Sequence, residues 1–347
     1  MSLLLANLEV PVIQAPMAGA ATPLLAAEVS RAGGLGALGL GASSPQDAAR
    51  MMQETRQRLG SGRFGVNLFC HRPAHRDPAR EAGWLEFLAP EFARHGAVPP
   101  ASLHEIYPSF LQDDDMLAAV IAARPVMISF HFGLPDAARI AALRQTGAVL
   151  MASATSLSEA HAIRDAGLDA IIAQGFEAGG HRGIFDPDGP DACQPAMDLM
   201  SGFKGLGLPL IAAGGIMTGA DAAHHLRAGA VAVQMGTAFL ACPESAAGPD
   251  WRARLRLGRT VMTRAISGRP ARGLENRLVA LGMRPDAPAL PDYPVAYDAA
   301  KALHAAAGGS DYAAQWAGTG AARARAMPAA RLVAQLAAEI AEALQTS

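Results

Sequence analysis

Eight short apolar runs recur along the chain, each followed by glycine or a small polar residue. They are VPVIQAPM (10–17), GLGALGLG (34–41), RFGVNLF (63–69), PVMISFHFG (125–133), AVLMASAT (148–155), AIIAQG (170–175), PLIAAGG (209–215) and AVAVQMGTAF (230–239). Their apolar character is continuous rather than alternating, which suits strands buried on both faces of a parallel sheet. Helical patterns lie between most of them. TPLLAAEVSRAG (22–33) opens on Thr22 and Pro23 and stops at glycine, and SPQDAARMMQETRQRLG (44–60) does the same from Ser44. SLSEAHAIRDAG (156–167) sets Ser156 three residues before Glu159, a capping-box pattern. TGADAAHHLRAG (218–229) again ends at glycine. RDAGLDAIIAQG and LRAGAVAVQMGT repeat one phrase: helix end, glycine, strand, glycine. Eight strands alternating with helices predict an α/β chain folded as a (β/α)8 TIM barrel. A doubly wound open sheet is the alternative. It would more often carry a glycine-rich phosphate turn after the first strand, where this chain has APMAGA.

Two segments break the rhythm. Residues 71–120 are too long for a plain strand-to-helix connection, and residues 241–310 are rich in proline (PDAPALPDYP). The expected division is a barrel over 1–240 with an insertion near 71–120. A small α-rich, substrate-covering lobe over 241–310 follows, and a helical segment over 311–347 returns to the barrel. The 347 residues are 51% apolar and 17% charged, a globular composition with room for a sizeable core. A formal charge of −2 with scattered basic residues argues against a nucleic-acid partner. Cys70, Cys193 and Cys242 are odd in number and match no metal spacing, so no metal site is expected and reduced thiols in a cytoplasmic protein are. Cys70 and His71 are adjacent, and neighbouring residues rarely both face one ion. MSLLLANLEVP lacks the basic region and length of a signal peptide, and no apolar run approaches the ~20 residues of a membrane span.

In such a barrel the chemistry gathers at the carboxyl ends of the strands. AAGGIMTGADA ends the seventh run and opens a helix. Gly214 and Gly215 there let backbone N–H groups approach a ligand, and the helix start favours an anion. MGTAF adds a second such turn at Gly236 and Thr237. These positions suit a phosphate. The other strand ends carry Ala15, Pro16, Met17, Asn67, Ser129, Ser153 and Gln174. An apolar slot edged by amides and hydroxyls suits a flat aromatic ring, so flavin mononucleotide (FMN) fits better than a sugar phosphate.

QAPMAG, GVNLF, AQGFEAGGHRG, PLIAAGGI, VQMGTAFL and the late QWAGTG, in this order across nearly the whole chain, resemble the flavin-dependent nitronate monooxygenases, also called 2-nitropropane dioxygenases. The EAGGHRG form together with WAG resembles the class I branch. The resemblance implies noncovalent FMN in a barrel with a small covering domain. It implies Ala15, Pro16 and Met17 against the flavin ring, Asn67 and Gln174 at its polar edge, and Gly179 and Gly180 beside it. Gly214, Gly215, Gly236 and Thr237 would hold the phosphate, with Trp316, Ala317 and Gly318 coming round to it. Thr319 stands where the family often has glutamine. His181 would be the catalytic histidine. Tyr107, His131, Tyr293, Tyr297 and Lys301 would line the substrate pocket; Tyr297 and Lys301 fall four apart on a helix that Pro294 can start. The implied chemistry is oxidation of alkyl nitronates, such as propionate 3-nitronate, and some nitroalkanes. O2 is the co-substrate, carbonyl compounds and nitrite are the products, and the path runs through a flavin semiquinone. A detoxifying monomer or homodimer fits this.

His181 then has two possible tasks: holding the nitro oxygens, or removing the α proton of a neutral nitroalkane. Two other functions fit the same barrel. One is an FMN-dependent NAD(P)H reductase of quinones or enoyl thioesters. The other is a sugar-phosphate isomerase or sensor. His71, His75, His95, His104, His161, His224 and His225 read as ordinary helix or loop residues, and His304 has no assigned role. Glu177 and Arg182 are expected to fasten the 174–185 loop.

Overall fold

The computed structural model describes residues 8–346, so the first seven positions of MSLLLANLEVP lie outside the described residues. The eight runs form eight strands in one parallel sheet: β1 (Val12–Gln14), β2 (Ala37–Gly39), β3 (Gly65–Phe69), β4 (Met127–His131), β5 (Val149–Ala154), β6 (Ala170–Gln174), then, after a two-residue strand β7 (Gly180–His181), β8 (Leu210–Ala213) and β9 (Ala232–Met235). The sheet order is β1-β9-β8-β6-β5-β4-β3-β2. A parallel bridge between Ile13 and Leu35 joins β1 to the β2 side and closes the circle. This is the TIM barrel, and the open doubly wound sheet is not observed.

The continuous apolar runs now have a cause. Neighbouring residues on one strand enter different apolar clusters. Ile13, Met151, Ile172 and Ile211 gather in one, while Val12, Leu150, Ile171 and Ala212 join the larger one with the helices. Both faces of each strand are dry, so alternation has no place. The surrounding helices begin at α1 (Pro23–Arg31), α2 (Pro45–Leu59), α3 (Pro78–Arg94), α4 (Asp114–Ala123), α5 (Ala137–Arg144), α6 (Leu157–Asp165), α7 (Ala196–Gly202) and α8 (Gly219–Arg227). Thr22 and Ser44 cap α1 and α2 through their hydroxyls, each followed by proline at the first helical position. The capping box expected at Ser156 is only half formed. Ser156 accepts from the Glu159 N–H, but the Glu159 carboxylate instead accepts from the Thr155 N–H and hydroxyl and from the Phe185 N–H. The reciprocal box forms at Thr218 and Asp221. His224 and His225 lie in the last turn of α8.

Residues 249–345 add α9 (Pro249–Leu255), a hairpin of β10 (Thr260–Thr263) and β11 (Ala271–Leu274), α10 (Arg277–Gly282), α11 (Val295–Ala307) and α12 (Ala329–Gln345). α12 packs against α8 and α1. A separate apolar cluster joins Trp84, Leu88 and Phe92 of α3 to Leu278, Val295, Ala299 and Leu303 of α10 and α11. Glu91 of α3 accepts from Arg277 Nη2 at 2.7 Å and from the Tyr312 hydroxyl at 2.7 Å. Thus the segment inserted after β3 and the segment after β9 share one small core, although more than 150 residues separate them in sequence. β11 also pairs antiparallel with β7, matching Ala271 with His181. Among the described residues no helix is long and apolar enough to cross a membrane.

Candidate functional site

One cavity of about 1040 Å³ opens at the carboxyl ends of the barrel strands. Every residue expected to act in catalysis or to bind cofactor or substrate lines it, except Ala317. Ala317 is fully buried and packs with Ala20, Leu240 and Ala321. The other two residues of its motif part company. Trp316 stands with its ring 5.0 Å from that of His181. Gly318 instead donates its N–H to Thr237 Oγ1 at 2.9 Å. The expectation that all three converge on a phosphate is therefore corrected: the segment is a strap between the two ends of the cavity. Gly179 packs beneath that strap. A Cβ added there would lie 2.4 Å from the Gly318 nitrogen, so only glycine allows the approach.

At one end of the cavity lie the glycine turns after β8 and β9. Gly214 and Gly215 have φ of 120° and 72°, a region that favours glycine. Among the described residues, the N–H groups of Gly214, Gly215, Gly236 and Thr237 have no hydrogen-bond partner. Arg323 holds the Gly215 carbonyl at 3.0 Å. A trans peptide points its N–H opposite to its carbonyl, so that grip turns the Ile216 N–H the other way. The start of α8 is not free for an anion, contrary to expectation. The Met217 and Thr218 N–H groups go to Asp221, and the Gly219 N–H goes to Glu339. Carboxylates of the chain already hold these three N–H groups, and the glycine turns offer donors that have no partner among the described residues.

The walls between the two ends are apolar, with Ala15, Pro16 and Met17 after β1. Asn67 of β3 donates through Nδ2 to the carbonyl and hydroxyl of Ser129, which leaves its Oδ1 free. Gln174 was expected to offer its amide to a ligand edge. Both ends of that amide are committed instead: Nε2 donates to the His181 carbonyl at 2.9 Å, and Oε1 accepts the Gly183 N–H at 2.6 Å. Gln234 of β9 was missed by sequence reasoning. It lines the cavity, and its Oε1 is buried without a partner. Its place inside a run of apolar residues (AVAVQMGTAF) was the available signal.

At the opposite end stands His181. Its backbone is held by β7, by Gln174 and by His131 Nε2, which reaches the His181 carbonyl at 3.1 Å. A carbonyl only accepts, so His131 carries its proton on Nε2, and its Nδ1 accepts from Ser153 Oγ at 3.0 Å. His131 was expected to contact substrate; it lines the cavity, but both ring nitrogens serve the protein. The His181 ring packs among Phe132, Tyr293 and Trp316. Its Nε2 lies 2.9 Å from Ser267 Oγ, a residue that sequence reasoning did not identify. Among the described residues its Nδ1 has no hydrogen-bond partner, and His181 lines the cavity. Burial pushes the His181 pKa well below its ordinary 6.5, and neighbouring His131 and Arg269 add to the shift. The imidazole is thus neutral near pH 7.

Around His181 lies a phenol-rich edge. Lys301 Nζ donates to the Tyr107 hydroxyl at 2.9 Å, and the Tyr107 and Tyr297 rings meet edge-on at 5.5 Å. Burial pushes Tyr293 and Tyr297 above the ordinary phenol range, so both stay protonated. Arg182 and Glu177 fasten the loop. Arg182 donates to the carbonyls of Gln174 and Gly175 at 3.0 Å each and pairs with Asp191, and Glu177 accepts the Ala196 N–H. His304 also lines the cavity, where its Nδ1 meets the Gly309 carbonyl at 2.9 Å. Cys70 and Cys242 are buried and free, and Cys193 is exposed and free.

The sequence model described as nitronate monooxygenase matches residues 2–339. The chain is 51% identical to the nitronate monooxygenase of Paraburkholderia phytofirmans, over 98% of this chain and 95% of that protein. It is 48% identical to the nitronate monooxygenase of Pseudomonas aeruginosa, over 97% of each. Among solved structures, a nitroalkane oxidase from Streptomyces ansochromogenes superposes with a TM-score of 0.89 at 38% identity, covering 99% of both chains.

Proposed function

The chain belongs to the nitronate monooxygenase family and is an oxidoreductase; from that premise we propose that it holds FMN in the barrel mouth and oxidises small alkyl nitronates beside His181. The observation that carries this reading is the polarity of the cavity. Free backbone N–H groups cluster at one end, and a neutral histidine nitrogen opens at the other. The cavity volume of about 1040 Å³ exceeds what a small substrate needs and suits a cofactor together with one. The residues fit the group. Gly214, Gly215, Gly236 and Thr237 would receive the phosphate through N–H donors. Ala15, Pro16 and Met17 would pack on the ring, and Asn67 Oδ1 and the orphaned Gln234 Oε1 would meet polar edges. When bound, FMN supplies an electron acceptor that O2 can reoxidise.

The rest falls to this chain's own side chains. A neutral imidazole has one N–H and one lone pair. If Ser267 donates its hydroxyl proton to His181 Nε2, then Nδ1 carries the hydrogen and can hold a nitro oxygen. If Ser267 turns to the Arg269 carbonyl, 3.3 Å away, Nε2 carries the hydrogen and Nδ1 becomes an acceptor able to take an α proton. The direction of the Ser267 hydroxyl hydrogen would select between holding an anion and removing a proton. Burial makes His181 a weak base, because charging it costs desolvation. A nitronate arrives already deprotonated and needs only the donor. The geometry therefore supports nitronates as the main substrates, with neutral nitroalkanes as poor ones. The protonated phenol of Tyr297, with the Lys301 Nζ that donates to the Tyr107 hydroxyl, suits the negative charge of such a substrate.

The test is anaerobic mixing of the purified yellow protein with a nitronate and, separately, with NADH, while following the flavin spectrum. The expected result is rapid bleaching or spectral change with the nitronate only. Rapid bleaching by NADH alone would assign the barrel to a reductase instead.

A further inference from the structure

Tyr293 also lines a second cavity, of about 200 Å³, outside the barrel mouth. Arg72, Arg80, Arg264 and Arg269 contribute to its walls. The three outer arginines have acidic company. Arg72 pairs with Asp188, Arg264 comes within 3.9 Å of Asp188, and Arg80 lies 3.7 Å from Asp292. Arg269 differs. It is 2% exposed, and among the described residues no carboxylate lies within salt-bridge distance of it. Its Nη2 reaches the Ile184 carbonyl, its plane lies over the Phe132 ring at 4.2 Å, and its Nε is buried with no partner. The hydroxyl of Tyr293, a residue lining both cavities, is likewise buried and without a partner among the described residues. A buried cation without a counter-charge is unfavourable unless something supplies one.

We propose that this second cavity is a binding site for a small oxyanion, a carboxylate or nitrite, gripped by Arg269 with Arg264 and Arg72 at its rim. A guanidinium fork matches the paired oxygens of such an anion. A volume of about 200 Å³ corresponds to roughly seven water volumes, enough for an anion of a few heavy atoms and too little for a nucleotide. The site meets the surroundings of His181 through Tyr293, which lines both cavities, and through Ser267. The Arg269 N–H and carbonyl both meet Ser267 Oγ at 3.3 Å, and that hydroxyl lies against His181. The proposal goes beyond the flavin and nitronate reading and does not depend on it.

The test is calorimetric titration of the flavin-loaded protein with formate and with nitrite in chloride-free, low-salt buffer. It compares wild type with Arg264→Gln, Arg269→Lys and Lys301→Met. The expected result is one saturable site per chain in wild type and in Lys301→Met, with affinity weakened by about tenfold or more in Arg264→Gln and Arg269→Lys. A bromide-soaked crystal should show an anomalous peak beside Arg269. Binding of nitrite alone would mark a site for the product, binding of formate alone a site for a carboxylate metabolite, and binding of both a general oxyanion site; each supports the proposal. Absence of saturable binding by either anion, unchanged affinity in Arg264→Gln, or loss of binding in Lys301→Met would overturn it.

Discussion

At the residue scale, the decisive pair is His181 and Ser267. Under the proposed mechanism Ser267 sets which His181 nitrogen carries the proton, so Ser267→Ala should lower kcat/KM for a nitronate about tenfold while flavin content stays unchanged, and Ser267→Thr should restore it. Steady-state rates indistinguishable from wild type would remove the serine from the mechanism. His181→Asn keeps an amide donor but loses the base. Its nitroalkane turnover should fall further than its nitronate turnover, by an additional factor of about 10². Equal losses on both substrates would sink the division of roles.

The same neighbourhood governs acid stability. Burial lowers His71 and His131 to about 4 and His181 well below 6.5. Between about 4 and 6.5 the unfolded chain binds more protons than the folded one. Stability therefore falls as pH drops through that window, and above 6.5 these groups are neutral in both states and add no slope. Neither His71 ring nitrogen reaches a partner at hydrogen-bond geometry, and the Tyr107 backbone approaches without meeting it. His71→Phe should thus hold or raise Tm near neutral pH and flatten its decline toward about pH 5, which thermal melts at the two pH values would show.

At the scale of elements, the site is an assembly of loop ends fastened by backbone. β7 exists because β11 pairs with it, and this fixes the His181 backbone that sequence alone placed in a loop. The WAG strap lies over Gly179 so closely that a Cβ would sit 2.5 Å from the Ala317 carbonyl carbon. Gly179→Ala should cost about 1–3 kcal/mol and lower the ratio of bound flavin to protein. The cause is that a displaced strap loses the hydrogen bond from the Gly318 N–H to Thr237. A variant with wild-type Tm and full flavin would show that the strap tolerates displacement. The α8 terminus teaches the complementary point. Its glycines and its position were plain in the sequence, but Asp221 and Glu339 claim its N–H groups. Glu339 lies about 120 residues away on α12, so no local pattern announces it.

At the scale of the whole molecule, the chain builds a barrel core and a smaller second core from distant segments. Trp84 is fully buried in the second core and does not itself line the cavity. Trp84→Ala should destabilise by about 3–5 kcal/mol. Its activity signature should be a raised KM for nitronate with flavin content retained, since Tyr297 and Lys301 ride on α11 in that core while the glycine turns belong to the barrel. Equal loss of flavin and substrate affinity would mean that the two cores do not act separately.

The sequence by itself determined the barrel. Continuous apolar runs, glycine stops and capping residues are local signals, and burial on both faces of a strand leaves its mark in the strand's own composition. It also marked most of the cavity lining, because strand-end residues in this fold converge whatever the details between them. Tertiary structure alone decided what those residues do. Gln174 and His131, which line the cavity, also hold the His181 carbonyl, Ala317 turned inward, and Ser267 and Arg269 arrived from a distant hairpin. A side chain's task depends on which partner takes its donors and acceptors. Such partners are chosen by proximity in space, across separations that reach 221 residues between Glu91 and Tyr312 and that no periodicity in the sequence encodes.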